Sequence, residues 1–282
     1  MAQGTTVIIP SKNEKFLNQT ILDVLSKARG DIEIIVCLDS YYDVQRIPGI
    51  KYIELEFNPN VNKKRHGINE AVRQATKGHI MVLDAHCMVD EGFDTKLERD
   101  CEENWVMIPR RLRLDAENWK LEQDDRPPVD YEYPMWQDFK KNRLRSYRWE
   151  SRTIERMDIL IDDVMSFQGS CYFMHKDWFN KLGLMQIEGY GGFAQENEEI
   201  VCKTLANGGK VKVNKNTWFA HLHKGKKYGR MYSLDWDEVK ESIAYSFDYY
   251  VNKNRETFIK EVEAFMPIPK WPNNWKDYLP KI

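Results

Sequence analysis

Short apolar runs punctuate the first 110 residues, and most stop at a polar residue able to make a turn or hold a ligand. Residues 7–9 run into Pro10, Ser11 and Asn13. The run 32–38, IEIIVCL, stops at Asp39, and 80–83, IMVL, stops at Asp84 with His86 two positions on. Such runs fit strands buried on both faces, as in a parallel sheet covered by helices. Residues 50–57 alternate as a further strand, and 105–109 read as another. Between them the spacing turns helical: Phe16, Leu17, Ile21, Leu22 and Leu25, with Ser11 and Asn13 placed to cap, then Ile68, Ala71, Val72 and Ala75 within 62–77, and a helix from 92 to about 103. This rhythm predicts an α/β fold with a mixed, mostly parallel sheet flanked by helices. Ligands of such sheets collect at the carboxyl ends of the strands, where Asn13, Glu14, Asp39, Asp84 and His86 would meet.

The second half is less regular. Residues 166–175, SFQGSCYFMH, predict a strand whose Gly169 and Ser170 allow close backbone approach, and 189–192, GYGG, a loop leading into a helix over 195–207. Glu196, Glu198 and Glu199 fall in that helix's first turn, where negative charge is favoured by the dipole. The glycine loop before them points one or two toward a substrate. Short strands are expected at 210–213 and 217–223, the second placing His221 and His223 on one face. The segment 224–230, KGKKYGR, is cationic and glycine-punctuated, and reads equally as a loop fit to close over phosphates or as a solvated turn. One long helix is expected over 236–262, followed by a proline-broken tail that Trp271, Trp275 and Tyr278 pin to the body. From 113 to 164 the chain changes character. Residues 115–132 are acidic and interrupted by proline, while 140–152, KKNRLRSYRWESR, hold six basic side chains with Tyr147 and Trp149. That stretch reads as a solvated helix or as a recognition surface for phosphates and stacked rings.

Composition narrows the classes. With 42 basic and 44 acidic residues the net charge is −2, so any nucleic-acid footprint must be local. The five cysteines are scattered and odd in number, which reads as reduced thiols rather than a disulfide frame. No run approaches the length of a membrane span, and the opening residues lack a charged start followed by an apolar stretch, so a soluble, cytoplasmic protein is expected. A carboxylate and an imidazole converging at Asp84 and His86 suit a divalent metal, the imidazole favouring manganese or zinc over magnesium or calcium.

The order of these motifs resembles a family 2 glycosyltransferase of the GT-A fold, with features similar to the polypeptide N-acetylgalactosaminyltransferases. VIIPSKNE is similar to that family's first strand and donor-binding turn, and IEIIVCLD to the strand ending at the aspartate that meets the base. KRHGINEAVRQATKGHIMVLDAH resembles the segment leading to the metal motif, with Asp84-Ala85-His86 as its Asp-x-His form. AHLHK carries His221 at the place of the third ligand, with His223 as the alternative. The resemblance covers roughly residues 5–112 and 165–230. It implies donor contacts from Pro10, Asn13, Glu14, Asp39, Lys64, Arg65, Asn69 and Asp84, joined by Lys224, Lys227 and Arg230 of the cationic loop. It also implies Mn2+ (or Mg2+) at Asp84, His86 and His221.

Glu196, then Glu198, are the expected acceptor-side catalytic carboxylates, one of them taking the acceptor hydroxyl's proton if the reaction inverts the anomeric centre or positioning the sugar if it retains, with Gly191, Gly192, Arg148 and Trp149 as acceptor contacts. The expected organisation is a glycosyltransferase domain over 1–230, including an acceptor-side insert at 113–164, and a helical extension over 231–282 packed on the same body. The expected reaction moves a sugar from a nucleotide-diphosphate sugar, a UDP-sugar in particular, to a hydroxyl. The basic-aromatic stretch makes a hydroxylated base in DNA one candidate acceptor beside glycans, lipid-linked sugars and proteins. The alternatives are a non-catalytic nucleotide-sugar or glycan-binding module, a hydrolytic zinc enzyme, and a sugar nucleotidyltransferase, although the last usually opens with a glycine-rich loop that VIIPSKNE lacks.

Overall fold

The computed structural model describes residues 3–136, 139 and 142–281. Its apolar runs form the centre of one large sheet. β1 (Thr5–Ser11), β2 (Ile32–Asp39), β3 (Lys51–Leu55) and β4 (His79–Leu83) are parallel, with α1 (Leu17–Lys27) and α2 (Lys64–Gln74) as crossovers. β5 (Cys87–Val89) and α3 (Phe93–Asp100) follow. The order across the sheet is β10 (Ile161–Asp163), β12 (Lys210–His221), β6 (Trp105–Asp115), β11 (Cys171–His175), β4, β1, β2, β3, with β5 also paired to β12. β11 runs antiparallel between β4 and β6, so its amino end, reached through Gly169 and Ser170, lies at the same edge as the carboxyl ends of β1, β2 and β4. β12 is parallel to β6 and delivers His221 there too. The expected mixed, mostly parallel sheet is therefore the fold observed.

Alternation along each strand sorts the core into two layers. Val7, Ile9, Ile34, Val36, Met81, Leu83 and Phe173 pack with Leu17, Ile21 and Val24 of α1 and Phe93 and Leu97 of α3. Ile8, Ile35, Ile80, Val82, Tyr172 and Met174 point the other way. They meet α2 through Ile68 and Val72, and α6 (Glu196–Ala206) through Ile200 and Val201.

The helix expected over 236–262 is instead α8 (Trp236–Phe247), a π-helical turn (Asp248–Lys253) and α9 (Arg255–Phe265). Asn254 leaves helical geometry at φ −110°, and its side-chain amide donates to the Tyr249 carbonyl at 2.8 Å. The change of direction there lets Phe247, Tyr250 and Val251 before it and Phe258 and Val262 after it enter the same core layer, together with Trp271 and Trp275 of the tail. The two strands expected at 210–213 and 217–223 are one strand, β12, with an irregular register between Asn214 and Trp218. α1 starts behind Phe16 without a side-chain cap, because Asn13 instead donates to the Met231 carbonyl at 2.7 Å.

The segment 113–164 is built on the extension of β6 beyond Pro109 to Asp115. It adds β7 (Lys120–Leu121), a ribbon of β8 (Glu132–Trp136) and β9 (Leu144–Arg148), and α4 (Glu150–Glu155). The basic stretch is thus largely strand at 144–148, and its Lys140 and Lys141 lie outside the described residues. Among the described residues no helix is long and apolar enough to cross a membrane.

Candidate metal centre and active-site cleft

Two strand pairings assemble the centre of the site. Asp84 leaves β4, its N–H donating to the Ser170 carbonyl at 2.8 Å, and the chain turns through Ala85 and His86 into β5. β5 pairs antiparallel with β12, setting Cys87 opposite His221, and the Leu222 N–H donates to the His86 carbonyl at 3.2 Å. Residues 135 positions apart are thereby brought together: the Nε2 atoms of His86 and His221 stand 3.1 Å apart. An Asp84 carboxylate oxygen lies 3.6 Å from His221 Nε2 and 4.0 Å from His86 Nε2. Both imidazoles are buried.

Charges around this trio hold it in a ligand-ready state. Burial alone would raise the Asp84 carboxyl, but Lys64, 3.0 Å away, and the two histidines hold it well below the usual carboxylate range. Burial pushes His221 down to about 3, so its imidazole is neutral at physiological pH. An anionic carboxylate beside neutral imidazole is the protonation pattern that metal binding needs. Glu14 sits 3.3 Å from His86 Nδ1, as carboxylates commonly do behind metal-ligating histidines. Its own charge is favoured over burial by His86 and by Lys224, whose ammonium reaches it at 2.6 and 2.8 Å.

These groups line a cleft of about 890 Å3 at the sheet edge. Pro10, Glu14, Asp39, Lys64, Lys224 and Arg230 of the expected donor contacts reach it, as does His223. Lys12, which the sequence reading passed over, also lines it and donates from its buried ammonium to Asp39 at 3.1 Å and to the Val61 carbonyl at 2.6 Å. Asn13 is turned to Met231, and Lys227 pairs on the surface with Glu117 at 3.0 Å. Arg65 and Asn69 lie behind the cleft. Arg65 is fully buried, pairs with Glu199 and donates to the carbonyls of Gln186 and Ala194, while Asn69 exchanges hydrogen bonds with the Met185 backbone. Both anchor the loop before α6 rather than facing the cavity.

Across Lys64 from Asp84, α6 presents Glu196 and Glu198 to the cleft. Glu196 Oε1 is 3.8 Å from Lys64 and has no hydrogen-bond partner among the described residues. Glu198 accepts from Ser146 of β9 at 3.0 Å, and burial pushes its carboxyl up to about 7. Arg111 bridges Glu132 at 2.9 Å and Gln168 at 2.6 Å, and both acceptors line the cleft. Arg111, Glu132 and Ser146 were hidden from sequence reading because they lie on strands past Pro109 and inside the irregular insert.

Gly191 and Gly192 act through backbone: a Cβ at Gly192 would meet the Asn62 carbonyl at 1.7 Å, and its N–H donates to Glu238 at 2.8 Å. Trp149 is buried against Tyr133 and Phe265, outside the cleft. Arg148 is exposed, two residues along β9 from Ser146, and its charge is felt by His223 of the lining.

The fold agrees with comparisons to known proteins. No curated protein matches the chain. Among solved structures, GalNAc-T7 with UDP, GalNAc and Mn2+ superposes with a TM-score of 0.67 at 14% identity, covering 98% of this chain and 54% of that one. S. aureus TarS (1–349) superposes at 0.52 and 12% identity, covering 98% and 77%. The chain thus spans about half the length of the GalNAc-T7 chain. The profile of the family described as Glycosyl transferase family 2 matches residues 6–183, well over half of the sequence, and the chain belongs to that family.

Proposed function

We propose that the protein transfers a sugar from a nucleotide-diphosphate donor, a UDP-sugar in particular, to an acceptor hydroxyl, with Mn2+ held by Asp84, His86 and His221. The observation that carries this reading is the convergence of one carboxylate oxygen and two imidazole nitrogens within 4.8 Å on the wall of the cleft. The donor set fits a metal: atoms bound about 2.1 Å from an ion stand roughly 3 to 3.5 Å apart, and two of the three separations are 3.1 and 3.6 Å. The similarity to a structure containing UDP and Mn2+ supports the same choice of donor and ion.

When bound, the ion would stabilise the charge that gathers on the diphosphate as the sugar bond breaks. Lys64 adds positive charge beside Asp84 and keeps that carboxylate ionised. Lys224 and Arg230 extend the cationic wall toward the phosphates. Glu198 takes the acceptor-side role: its raised pKa, about 7, suits a group that accepts the acceptor hydroxyl's proton near neutrality. Glu196, facing Lys64, lies on the donor side of the pair and positions the sugar. For the acceptor, the exposed Arg148 and Tyr147 of β9 favour a hydroxylated base in DNA.

Thermal denaturation with a panel of UDP- and GDP-sugars, with and without Mn2+, tests the reading. A ligand that binds only the folded state raises the melting temperature, so one UDP-sugar should stabilise the protein in the presence of Mn2+ alone. Asp84→Ala and His221→Ala should each remove that shift and lower turnover by at least about 10³-fold. Full turnover of chelator-treated wild type, or of either variant, would refute the metal assignment.

A further inference from the structure

We infer that the acceptor carries a phosphodiester, and that Arg113, Arg145 and Arg148 hold it at the rim of the cleft beside His223; this rests on the transferase reading above. Arg113 is the register partner of His221 where β6 and β12 lie side by side, so its backbone adjoins the strand that supplies a metal ligand. Arg145 lines the cleft itself. On β9, side chains two apart share a face and stand roughly 7 Å apart, and Ser146, which donates to Glu198, shares its face with Arg148. Arg148 therefore shares the Ser146–Glu198 face of β9, while Arg145, on the alternate face, reaches the cleft as part of its lining.

The charges at this rim do not balance. Arg111 is matched by Glu132, and Arg126 by Glu122 and Asp124. Arg113 is mostly buried, donates to the Arg126 and Pro127 carbonyls, and reaches a carboxylate only at 3.7 Å, on the Asp124 that Arg126 already holds. Arg145 and Arg148 have no carboxylate within 4.0 Å among the described residues. His223, which lines the cleft, lies within the field of the guanidiniums of Arg111, Arg148, Arg113 and Arg126. A neutral glycan would leave these cations as they are. A carboxylate offers one edge to one guanidinium, whereas a tetrahedral phosphate can accept from several arriving along two strands.

The test is fluorescence anisotropy of a short labelled single-stranded DNA across a salt series, with the Mn2+-dependent UDP thermal shift measured on the same preparations. Arg145→Ala and Arg148→Ala remove exposed side chains that the fold does not use. Each should weaken DNA binding roughly tenfold and reduce the slope of log affinity against log salt by about 0.7, with the UDP shift retained. Displacement of the DNA by inorganic polyphosphate but not by a neutral oligosaccharide would identify the phosphate as the group that is read. Displacement by unlabelled DNA alone would add a contribution from the bases. A slope unchanged in both variants, with the UDP shift intact, overturns the phosphate subsite; a wild type without any UDP shift overturns the transferase reading and this inference with it.

Discussion

The two ends of the cleft solve opposite electrostatic problems. At the end we assign to the donor, formed by the loops after β1, β2 and β4, most charged side chains face a partner within the fold: Lys12 with Asp39, Lys64 with Asp84, Lys224 with Glu14. All six are at least four-fifths buried. Buried charges persist only when paired, so this end must be assembled before a ligand arrives. At the end we assign to the acceptor, Arg145 and Arg148 of β9 are exposed to water with no carboxylate within 4.0 Å among the described residues, while the buried Arg113 of β6 donates to backbone carbonyls and meets only a carboxylate already held by Arg126. One end is preorganised; the other waits for an anion.

The contrast is sharpened most by a charge that serves the first end from behind. Arg65→Ala should cost about 3 to 5 kcal/mol of stability, because Glu199 stays buried and the carbonyls of Gln186 and Ala194 lose their donors. Urea denaturation measures it. The loss should be equal with and without UDP and Mn2+, since Arg65 holds the loop and not the ligand. A midpoint matching wild type, or a loss confined to the ligand-bound state, would return Arg65 to the donor contacts and blur the distinction between the ends.

Glu198 sits between the two regimes, a buried carboxyl partnered only by neutral groups. Its folded pKa, about 7, exceeds the ordinary 4.5, so its contribution to stability is complete below about pH 4.5 and is lost as the pH rises through 7. Glu198→Gln should therefore be more stable than wild type at pH 8, by at most about 3 kcal/mol. Transfer by wild type should rise across the same interval as the carboxylate forms, and the variant should lack that limb. A pH–rate profile unchanged by the substitution would assign proton removal elsewhere. A Glu198→Gln variant no more stable than wild type at pH 8 would mean that this carboxyl is better solvated than its burial indicates.

How much of this could be read from the sequence follows the same division. Asp39, Asp84 and His86 were legible because each follows an uninterrupted buried strand, and such strands end at one edge of a parallel sheet. His221 followed from the family resemblance and its spacing from His223, yet its contact with His86 depends on the β5–β12 pairing, which no local pattern announces. Arg65 and Asn69 were misplaced for a related reason: they sit at the start of the helix that leads to the metal motif, but the turn of α2 directs them inward to residues 185–199. The acceptor side was opaque because β6 continues through Pro109, past the end of its pairing with β11 at Met107 and beside the irregular register of β12 between Asn214 and Trp218. Arg111 and Arg113 therefore fell outside the strand expected at 105–109 although they belong to it. Tertiary pairing also made the 236–262 helix turn at Asn254, where one apolar stripe suggested a straight rod.

The smallest expected effect completes the comparison. If the exposed arginines of β9 await an anion, Arg145 and Arg148 contribute nothing to the fold that water does not already supply. Arg145→Ala and Arg148→Ala should change unfolding free energy by less than about 0.5 kcal/mol each, the range of substitutions on open surface. Raising salt should stabilise wild type slightly more than the double variant, because screening relieves repulsion among guanidiniums that the variant lacks. Urea melts at low and high salt measure both. A clear loss of stability in either single variant would show that these side chains are already engaged with protein, and the acceptor end would then be as preorganised as the donor end.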